Sequence, residues 1–409
     1  MARLGKGMLI LLLGSLLGWR IMVTGFSEYY AEQEEAEAMA GALRWREQQP
    51  EALYQRGLDQ FDRDPGAAER LLQAAAWANP TDARVYLVLA YLWAADGRQQ
   101  AAIGLAELAD TLGPLRSPVL IGSADFWQSQ GRLDRMLARW SVLLRTRPAF
   151  ASKLHPLLLG FAEDLDRREL LKPLLENPPD WWDAFFAYAA REAKQTDTLL
   201  FLYQGRQRGD EPPSESEQGA YLDRLWRDAR WSEAYQAWRD GLDKREGREL
   251  DNLYNGGFEL PLTGAGFDWR TPPLRGVVVE AAPTYGVRGD KALHLVFDGQ
   301  RVRFQHVFQY LVLKPGHYRL QGRVRPDGLR TERGLQWRLR CVSDGPLLAE
   351  SERFLGSDAF WRTFAVEFAV PETDCPAQVL QLELEGRAAL DFEIQGGIWF
   401  DDLAVTSQD

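Results

Sequence analysis

The sequence predicts an α+β protein of several domains, with an N-terminal transmembrane helix, an α-helical solenoid and a C-terminal all-β sandwich. Three observations predict it: an apolar N-terminal run, prolines at a regular spacing, and a change of hydrophobic period after residue 250. A chain of 409 residues is too long for one ordinary core. We expect a cytoplasmic stub with a membrane anchor (1–26), a helical linker (27–48), helical repeats (49–148), degenerate helical repeats (149–247) and the sandwich (248–409).

The overall charge is acidic, with 59 Asp and Glu against 48 Lys and Arg and a net charge of −11. Nucleic-acid binding depends on clustered basic residues that contact phosphates, and no such cluster occurs in this sequence. Nucleic acid is therefore not an expected partner.

The N-terminal apolar run extends from Gly7 to Phe26 and contains one charged residue, Arg20. About 20 residues at ~1.5 Å each can just cross a ~30 Å hydrocarbon layer. Basic residues precede the run, so the positive-inside rule predicts a single-pass anchor with most of the chain outside the cytoplasm. A cleaved signal peptide is the alternative, because Ala38-Met39-Ala40 has a small-x-small pattern.

Pro80, Pro114 and Pro148 recur at a spacing of about 34 residues, which is the length of a tetratricopeptide helix-turn-helix. Small residues that allow paired helices to approach recur with the same period: Ala68, Ala75, Ala102 and Ala109. The segment 49–148 therefore resembles tetratricopeptide repeats, and the resemblance implies a curved surface that binds other proteins. A spacer that only positions the C-terminal domain is the alternative.

Helical patterns continue without a clear period from 149 to 247. Trp181 and Trp182 lie in an apolar helical stretch there, and we expect both to be core residues. After Leu250 the pattern changes to short alternating runs between Gly, Pro and Asp turns, which predicts about eight or nine strands. Trp337 alternates with the apolar Leu335 and Leu339 and is therefore expected in the core.

Four landmarks in the last part of the chain occur in a characteristic order. "NGGFE" (255–259), with Trp269 after it, precedes "GVRGDKALHL" (286–295), "LKPGHYRLQGRVR" (313–325) and "GIWFDDLAV" (397–405). This order resembles the carbohydrate-binding jelly-roll modules attached to xylanases and cellulases. Residues 255–258 should lead into the first strand.

The resemblance implies a structural Ca²⁺ between the first and last strands, because the family commonly carries one. The corresponding ligands would be Glu259, Asp401 or Asp402, and backbone oxygens near Lys291. Hard oxygen ligands of this kind are what Ca²⁺ requires. The alternative is a strand-ending turn with solvated carboxylates.

The resemblance also implies glycan binding through exposed rings flanked by hydrogen-bonding side chains. The candidates in this sequence are Trp269, Tyr285, Tyr310, Trp361, Gln309, Arg338 and Arg340. For Trp269 the alternative is a core position that closes the end of the sandwich.

Cys341 and Cys375 are the only cysteines, and both lie in the predicted sandwich. An even pair in an exported chain predicts a disulfide, and two free buried thiols are the alternative.

The sequence contains no HExxH, no GxSxG and no phosphate-binding glycine loop. We therefore expect a binding protein rather than an enzyme. Proteins of this build resemble accessory components of bacterial exopolysaccharide or O-antigen assembly.

This second resemblance implies an inner-membrane-anchored periplasmic adaptor. Its solenoid would bind a membrane protein of a glycan polymerisation, ligation or export machinery, and its sandwich would hold the polysaccharide. The alternative is a structural protein–protein scaffold that binds no sugar, and a glycan-modifying enzyme is the least favoured reading.

Overall fold

The computed structural model describes residues 2–33, 35–342 and 345–408. The chain divides into two compact units, Met1–Phe185 and Phe186–Asp409. The first unit is helical: α1 (Ala2–Ala31), α2 (Ala36–Trp45), α3 (Pro50–Gln60), α4 (Pro65–Ala78), α5 (Ala83–Ala95), α6 (Gln99–Leu112), α7 (Ser117–Ser129), α8 (Leu133–Thr146), α9 (Ala151–Glu163) and α10 (Lys172–Glu176).

Helices α3 to α8 pack pairwise as three successive hairpins, α3–α4, α5–α6 and α7–α8. The small residues predicted at the helix contacts, Ala68, Ala75, Ala102 and Ala109, are fully buried. Gly97 and Gly131 occupy matching turns inside the second and third hairpins with φ of 77° and 70°, a left-handed conformation that glycine adopts without strain. This part of the chain fits the predicted solenoid, while its tetratricopeptide character stays a prediction.

The predicted transmembrane anchor is wrong. Among the residues that the structure describes, no helix combines the length and the apolar character needed to cross a membrane. The expected single-pass inner-membrane location is contradicted by the same finding.

The second unit begins within α11 (Trp182–Glu192) and continues through α12 (Thr196–Gln207), α13 (Glu215–Arg227) and α14 (Trp231–Asp240). Trp181 and Trp182 are buried, as predicted. Ser214 and Glu217 form a reciprocal capping box that begins α13. Trp238 of α14 packs edge-on against Tyr254, with ring centroids 5.0 Å apart, so this helix is part of the same folded unit as the strands that follow.

The nine strands described are β1 (Val277–Pro283), β2 (Lys291–Arg301), β3 (Val307–Leu311), β4 (Gly316–Thr331), β5 (Leu335–Cys341), β6 (Leu347–Glu350), β7 (Arg362–Val370), β8 (Gln378–Leu384) and β9 (Glu393–Ser407). They form two antiparallel sheets, ordered β1-β2-β9-β4-β7 and β3-β8-β5-β6. One core lies between the sheets, and Trp337 is fully buried in it, as predicted. The chain thus combines helices with two antiparallel sheets.

Residues 255–258 do not lead into a strand, because the first strand begins only at Val277. Asn255 and Phe258 both have left-handed backbones, with φ of 50° and 58°, which are incompatible with an extended chain. Such a conformation is unfavourable for a bulky residue, and the complete burial of the Phe258 ring offsets the cost. The segment is nevertheless attached to the last strand, since Leu403 N donates a hydrogen bond to Gly256 O at 2.9 Å.

The predicted disulfide is confirmed. Cys341 ends β5 and bonds to Cys375, which precedes the neighbouring strand β8, with the Cα atoms 5.1 Å apart. The bond therefore fastens the loop before β8 to the end of an adjacent strand.

Candidate functional site

The outer face of the five-stranded sheet carries a line of side chains from three neighbouring strands and from the residue before a fourth. In the strand register His294 of β2 lies opposite Trp399 of β9, and Trp399 lies opposite Arg325 of β4. Ile398 and Phe400 point into the core, so the alternation of β9 turns Trp399 outwards. Trp361, directly before β7, completes the line. We call these four residues the ring row.

The ring row is held by close contacts. His294 and Trp399 stack with centroids 3.6 Å apart and planes 7° from parallel. The Arg325 guanidinium lies over two rings, 5.5 Å from the centroid of Trp399 and 5.2 Å from that of Trp361. Cation–π contacts of this kind fix the orientation of rings at a surface.

The loop between β1 and β2 packs against one end of the ring row. Trp361 Nε1 donates to Tyr285 O at 2.9 Å, and Arg323 Nη2 donates to Gly286 O at 2.5 Å. Gly286 has φ of 78°, and a Cβ there would lie 3.1 Å from the Trp361 ring. The Tyr285 side chain itself is 93% exposed, so its ring is free to meet a ligand.

A cleft of about 680 Å³ adjoins the ring row on the same face. Outward side chains of β4 and β7, including Gln321, Arg323 and Thr363, line it on one side, and residues 402–404 with the segment 248–257 line the other. This volume lies within the ~300–1,000 Å³ usual for ligand sites.

The carboxylates predicted to bind calcium all approach the loop 288–291. Glu259 Oε1 accepts hydrogen bonds from Asp290 N at 2.9 Å and Lys291 N at 3.0 Å. Asp401 accepts from Arg288 N, and its Oδ2 lies 3.4 Å from Arg323 Nη1. Burial, with the neighbouring carboxylate of Asp402, raises the pKa of Asp401 to about 6.

These residues suit Ca²⁺ chemically, because their ligand atoms are hard oxygens. The negative charge of Asp401 is also poorly balanced by its neighbours, as its raised pKa shows. As placed, however, those oxygens accept N–H bonds or face Arg323. Within the described ranges, no group of three His, Cys, Asp or Glu side chains is close enough to hold a metal ion. Calcium therefore stays a prediction.

The residues predicted to bind glycan are dispersed. Among them, Trp361 belongs to the ring row and Tyr285 lies beside it. Trp269 is fully buried between Phe258 and Trp337, so neither face of its indole is open to a sugar. It is a core residue.

Gln309 and Tyr310 have structural contacts. The Gln309 side chain is fully buried and exchanges hydrogen bonds with the backbone of Tyr254, at 2.9 and 3.0 Å. Tyr310 packs against Trp226 and Trp231 of the preceding helices, with centroids 5.7 and 5.5 Å away. Both side chains therefore join parts of the second unit.

Arg338 and Arg340 lie on the other sheet, on β5. Arg338 forms ion pairs of 2.9 Å with both Glu350 and Glu385, and Arg340 pairs with Glu383. Their charges are balanced within the sheet, away from the ring row.

His294, Arg325 and Trp399 were not among the residues predicted from the sequence. A signal for Trp399 was present in "GIWFDDLAV", where it is out of phase with the buried Ile398 and Phe400. No local signal identifies Arg325, because its importance comes from the two rings on neighbouring strands.

Comparison with known proteins gives matches only among solved structures. No protein-family model matches the chain, and no curated protein matches it significantly. The similar structures include carbohydrate-binding modules, among them the following three. A family 4 module is 19% identical with a TM-score of 0.28, and the match covers 38% of this chain and 99% of that one.

The other two belong to family 22. A xylan-binding domain from Paenibacillus barcinonensis is 14% identical with a TM-score of 0.26, covering 37% of this chain and 91% of that one. A C-terminal module from Clostridium thermocellum is 12% identical with a TM-score of 0.25, covering 38% of this chain and 96% of that one. At TM-scores this low, the likeness carries no argument about function, which has to come from the residues of the sandwich.

Proposed function

We propose that the C-terminal sandwich binds a polysaccharide along the outer face of its five-stranded sheet. The observation that carries the proposal is the ring row beside an open cleft: His294 and Trp399 in parallel stack, and Trp361 fixed next to the exposed Tyr285. These rings are not core residues: they lie on the solvent side of the sheet, and the core lies on its other side.

Both the rings and the cleft would contact the polysaccharide. Flat aromatic surface stacks on the apolar face of a pyranose, and polar groups such as Gln321 and Thr363 in the cleft hydrogen-bond its hydroxyls. The cation–π and stacking contacts hold the rings before the ligand arrives, so little side-chain entropy is lost on binding. The proposal contains no catalytic step.

For the helical unit, we propose a protein partner from a glycan polymerisation, ligation or export machinery. An apolar groove of about 350 Å³ on α4, α5 and α6 supports a docking role. Trp77 lies in this groove with 89% of its side chain exposed, beside Leu89 and Trp93. Exposed Trp side chains are the type that most often dominates a protein interface.

We also propose that Ca²⁺ stabilises the loop 288–291. It would be held by Glu259, Asp401 and Asp402 with an oxygen near Lys291, and it would neutralise carboxylates that approach one short loop. No step of glycan binding depends on it.

The decisive experiment is affinity electrophoresis and calorimetry of the full chain with a panel of bacterial and plant polysaccharides. Trp399→Ala and Trp361→Ala should each weaken binding at least about tenfold, equivalent to ~1.4 kcal/mol. Trp77→Ala is the matched control, because it removes an equally large exposed indole from the helical unit.

Two results would contradict the proposal. If the wild-type chain binds no polysaccharide, the scaffold without sugar binding becomes the better explanation. If Trp77→Ala weakens binding and Trp399→Ala does not, the glycan site lies outside the sandwich.

A further inference from the structure

Strand β4 presents three arginines on the outer face that carries the ring row. Arg319, Arg323 and Arg325 alternate with core residues, as does Gln321 between them. The chain as a whole has a net charge of −11, so this concentration of positive charge is local. The three arginines differ in what balances their charge.

Arg323 is balanced within the protein. Its Nη1 lies 3.4 Å from Asp401 Oδ2 and 3.5 Å from Asp402 Oδ2, and its Nη2 donates to Gly286 O. These contacts fasten the loop before β2 to the sheet. We therefore assign Arg323 a structural role.

Arg325 has no such partner. Among the described residues, no carboxylate oxygen lies within 4.0 Å of its guanidinium. Its one side-chain hydrogen bond goes to Thr284 Oγ1 at 3.1 Å, and its remaining contacts are the rings of Trp361 and Trp399. A cation held between two rings on an exposed sheet has N–H donors to offer to an external anion.

Arg319 likewise forms no ion pair with any described residue. It is exposed and lines the cleft. Glu367 lies opposite it in the strand register, but no ion pair forms between them. The acidic residues that line the cleft come from other segments: Glu249 and Asp251 precede the sandwich, and Asp402 pairs with Arg323.

From this difference we infer that the ligand is an acidic polysaccharide, one whose pyranose units carry carboxylates. The inference rests on the glycan-binding function proposed above and names its ligand class. A uronate offers both groups that this face would recognise: an apolar ring face for Trp361 or Trp399, and a planar carboxylate that accepts two parallel N–H bonds from Arg325.

The spacing of the two cations favours a polymer. Arg319 and Arg325 are six positions apart on one strand, which corresponds to about 20 Å at 3.3–3.4 Å per residue. A single sugar cannot reach both, whereas an extended oligosaccharide can. Binding should therefore strengthen with chain length and weaken with added salt.

The test uses the full chain and a matched pair of ligands, polygalacturonate and its fully methyl-esterified form, followed by calorimetry. The two polymers share their sugar rings and differ in charge. We expect the acid to bind at least about tenfold more tightly at low salt, since a charge-assisted bidentate pair is replaced by a neutral ester. Alginate serves as a second carboxylate polymer, neutral xylan as an uncharged one, and dextran sulfate as a source of sulfate.

Two variants locate the effect. Arg325→Gln and Arg319→Gln should each lower affinity for the acid about tenfold more than they lower affinity for the ester, because any loss of ring or cleft contacts affects both polymers alike. Arg330→Gln is the control, because it removes an exposed charge from the same strand outside the cleft. Arg319→Gln alters an exposed side chain, so it keeps the test valid if Arg325→Gln fails to fold.

The outcomes separate the two proposals. Equal affinity for acid and ester, or for the acid polymers and xylan, would overturn the acidic ligand and leave glycan binding intact. Tighter binding of dextran sulfate than of either carboxylate polymer would overturn the assignment to carboxylate. Absence of binding to every polysaccharide would overturn both.

Discussion

His294 and Trp399 lie on neighbouring strands with ring centroids 3.6 Å apart and planes 7° from parallel, on the solvent side of the sheet. The stack leaves His294 only partly accessible, with 18% of its side chain exposed. Burial lowers the pKa of His294 below its ordinary value of 6.5; Glu280 and Asp327 oppose this shift, and Arg325 adds to it. The imidazole is therefore neutral at pH 7.

The first prediction concerns this titration. Since the folded pKa of His294 is below the unfolded one, its contribution to stability is present above about pH 6.5 and is lost as the pH falls. NMR should give a pKa under 6.5. Arg325→Gln should raise this pKa and Glu280→Gln should lower it further, because the two substitutions remove opposite charges. A pKa at or above 6.5 in the wild type would contradict the buried stack.

The second prediction concerns Gly256, where the segment before the sandwich meets β9. A Cβ on Gly256 would lie 1.8 Å from Leu403 O, a backbone atom that cannot move aside. Gly256→Ala should therefore destabilise the second unit by about 1–3 kcal/mol, the usual cost of overpacking. The adjacent Gly257 is the control, since its Cβ would find its nearest neighbour 4.0 Å away. Equal chemical denaturation midpoints for the two alanine variants would disprove the close contact.

The sequence predicted those features that depend on a local period. Trp337 was expected in the core because it alternates with Leu335 and Leu339, and one buried face fixes the whole alternation. The buried alanines of the helical hairpins were found in the same way, from a recurrence of about 34 residues.

The combination of residues that strand pairing brings together was not predictable, although Trp399 alone had a local signal. His294, Arg325 and Trp399 are distant in the chain and meet only because β9 inserts between β2 and β4. The resemblance to carbohydrate-binding modules made Trp269 and Gln309 candidates for glycan binding, but both are fully buried, so the core alternative holds for Trp269.

The third prediction concerns the disulfide. Cys341 and Cys375 are separated by 34 positions, and a closed loop of this size is worth ~4 kcal/mol in the chain-entropy description. The double variant Cys341→Ser with Cys375→Ser should lower the unfolding free energy by that order, and reduction of the wild type should give a similar loss. Reductant should have no effect on the double variant. A reduced wild type as stable as the oxidised one would show that the bond does not constrain the unfolded chain.

The fourth prediction concerns Arg270, which joins the sandwich to α13. Its guanidinium lies 4.3 Å from the centroid of Trp226 and 5.4 Å from that of Tyr310, and Arg270 N donates to Phe308 O at 2.8 Å. Arg270→Met keeps an apolar stem but removes the cation, so the second unit should lose about 0.5–2 kcal/mol.

Arg303→Met is the matched control for this change. Arg303 also lies over a ring, 5.1 Å from the centroid of Phe392, but its side chain is exposed. Arg303→Met should therefore lower the melting temperature less than Arg270→Met does. If Arg303→Met destabilises the protein as much as Arg270→Met does, the contact with Trp226 contributes no more stability than an exposed cation–π contact.

The fifth prediction concerns calcium at the loop 288–291. If Ca²⁺ binds there, it replaces the N–H donors as the main partner of Glu259, and it offsets the charges of Asp401 and Asp402. Millimolar Ca²⁺ should then raise the melting temperature of the second unit, in the manner of any ligand specific to the folded state, and a chelator should reverse the rise. Glu259→Gln should abolish the response while leaving the calcium-free midpoint close to that of the wild type, because an amide oxygen still accepts from Asp290 and Lys291. Asp298→Asn, on an exposed part of β2, is the control that should keep the full response. If the melting midpoint is the same with calcium and with chelator, no calcium binds there, and the loop is held only by its N–H bonds and by Arg323.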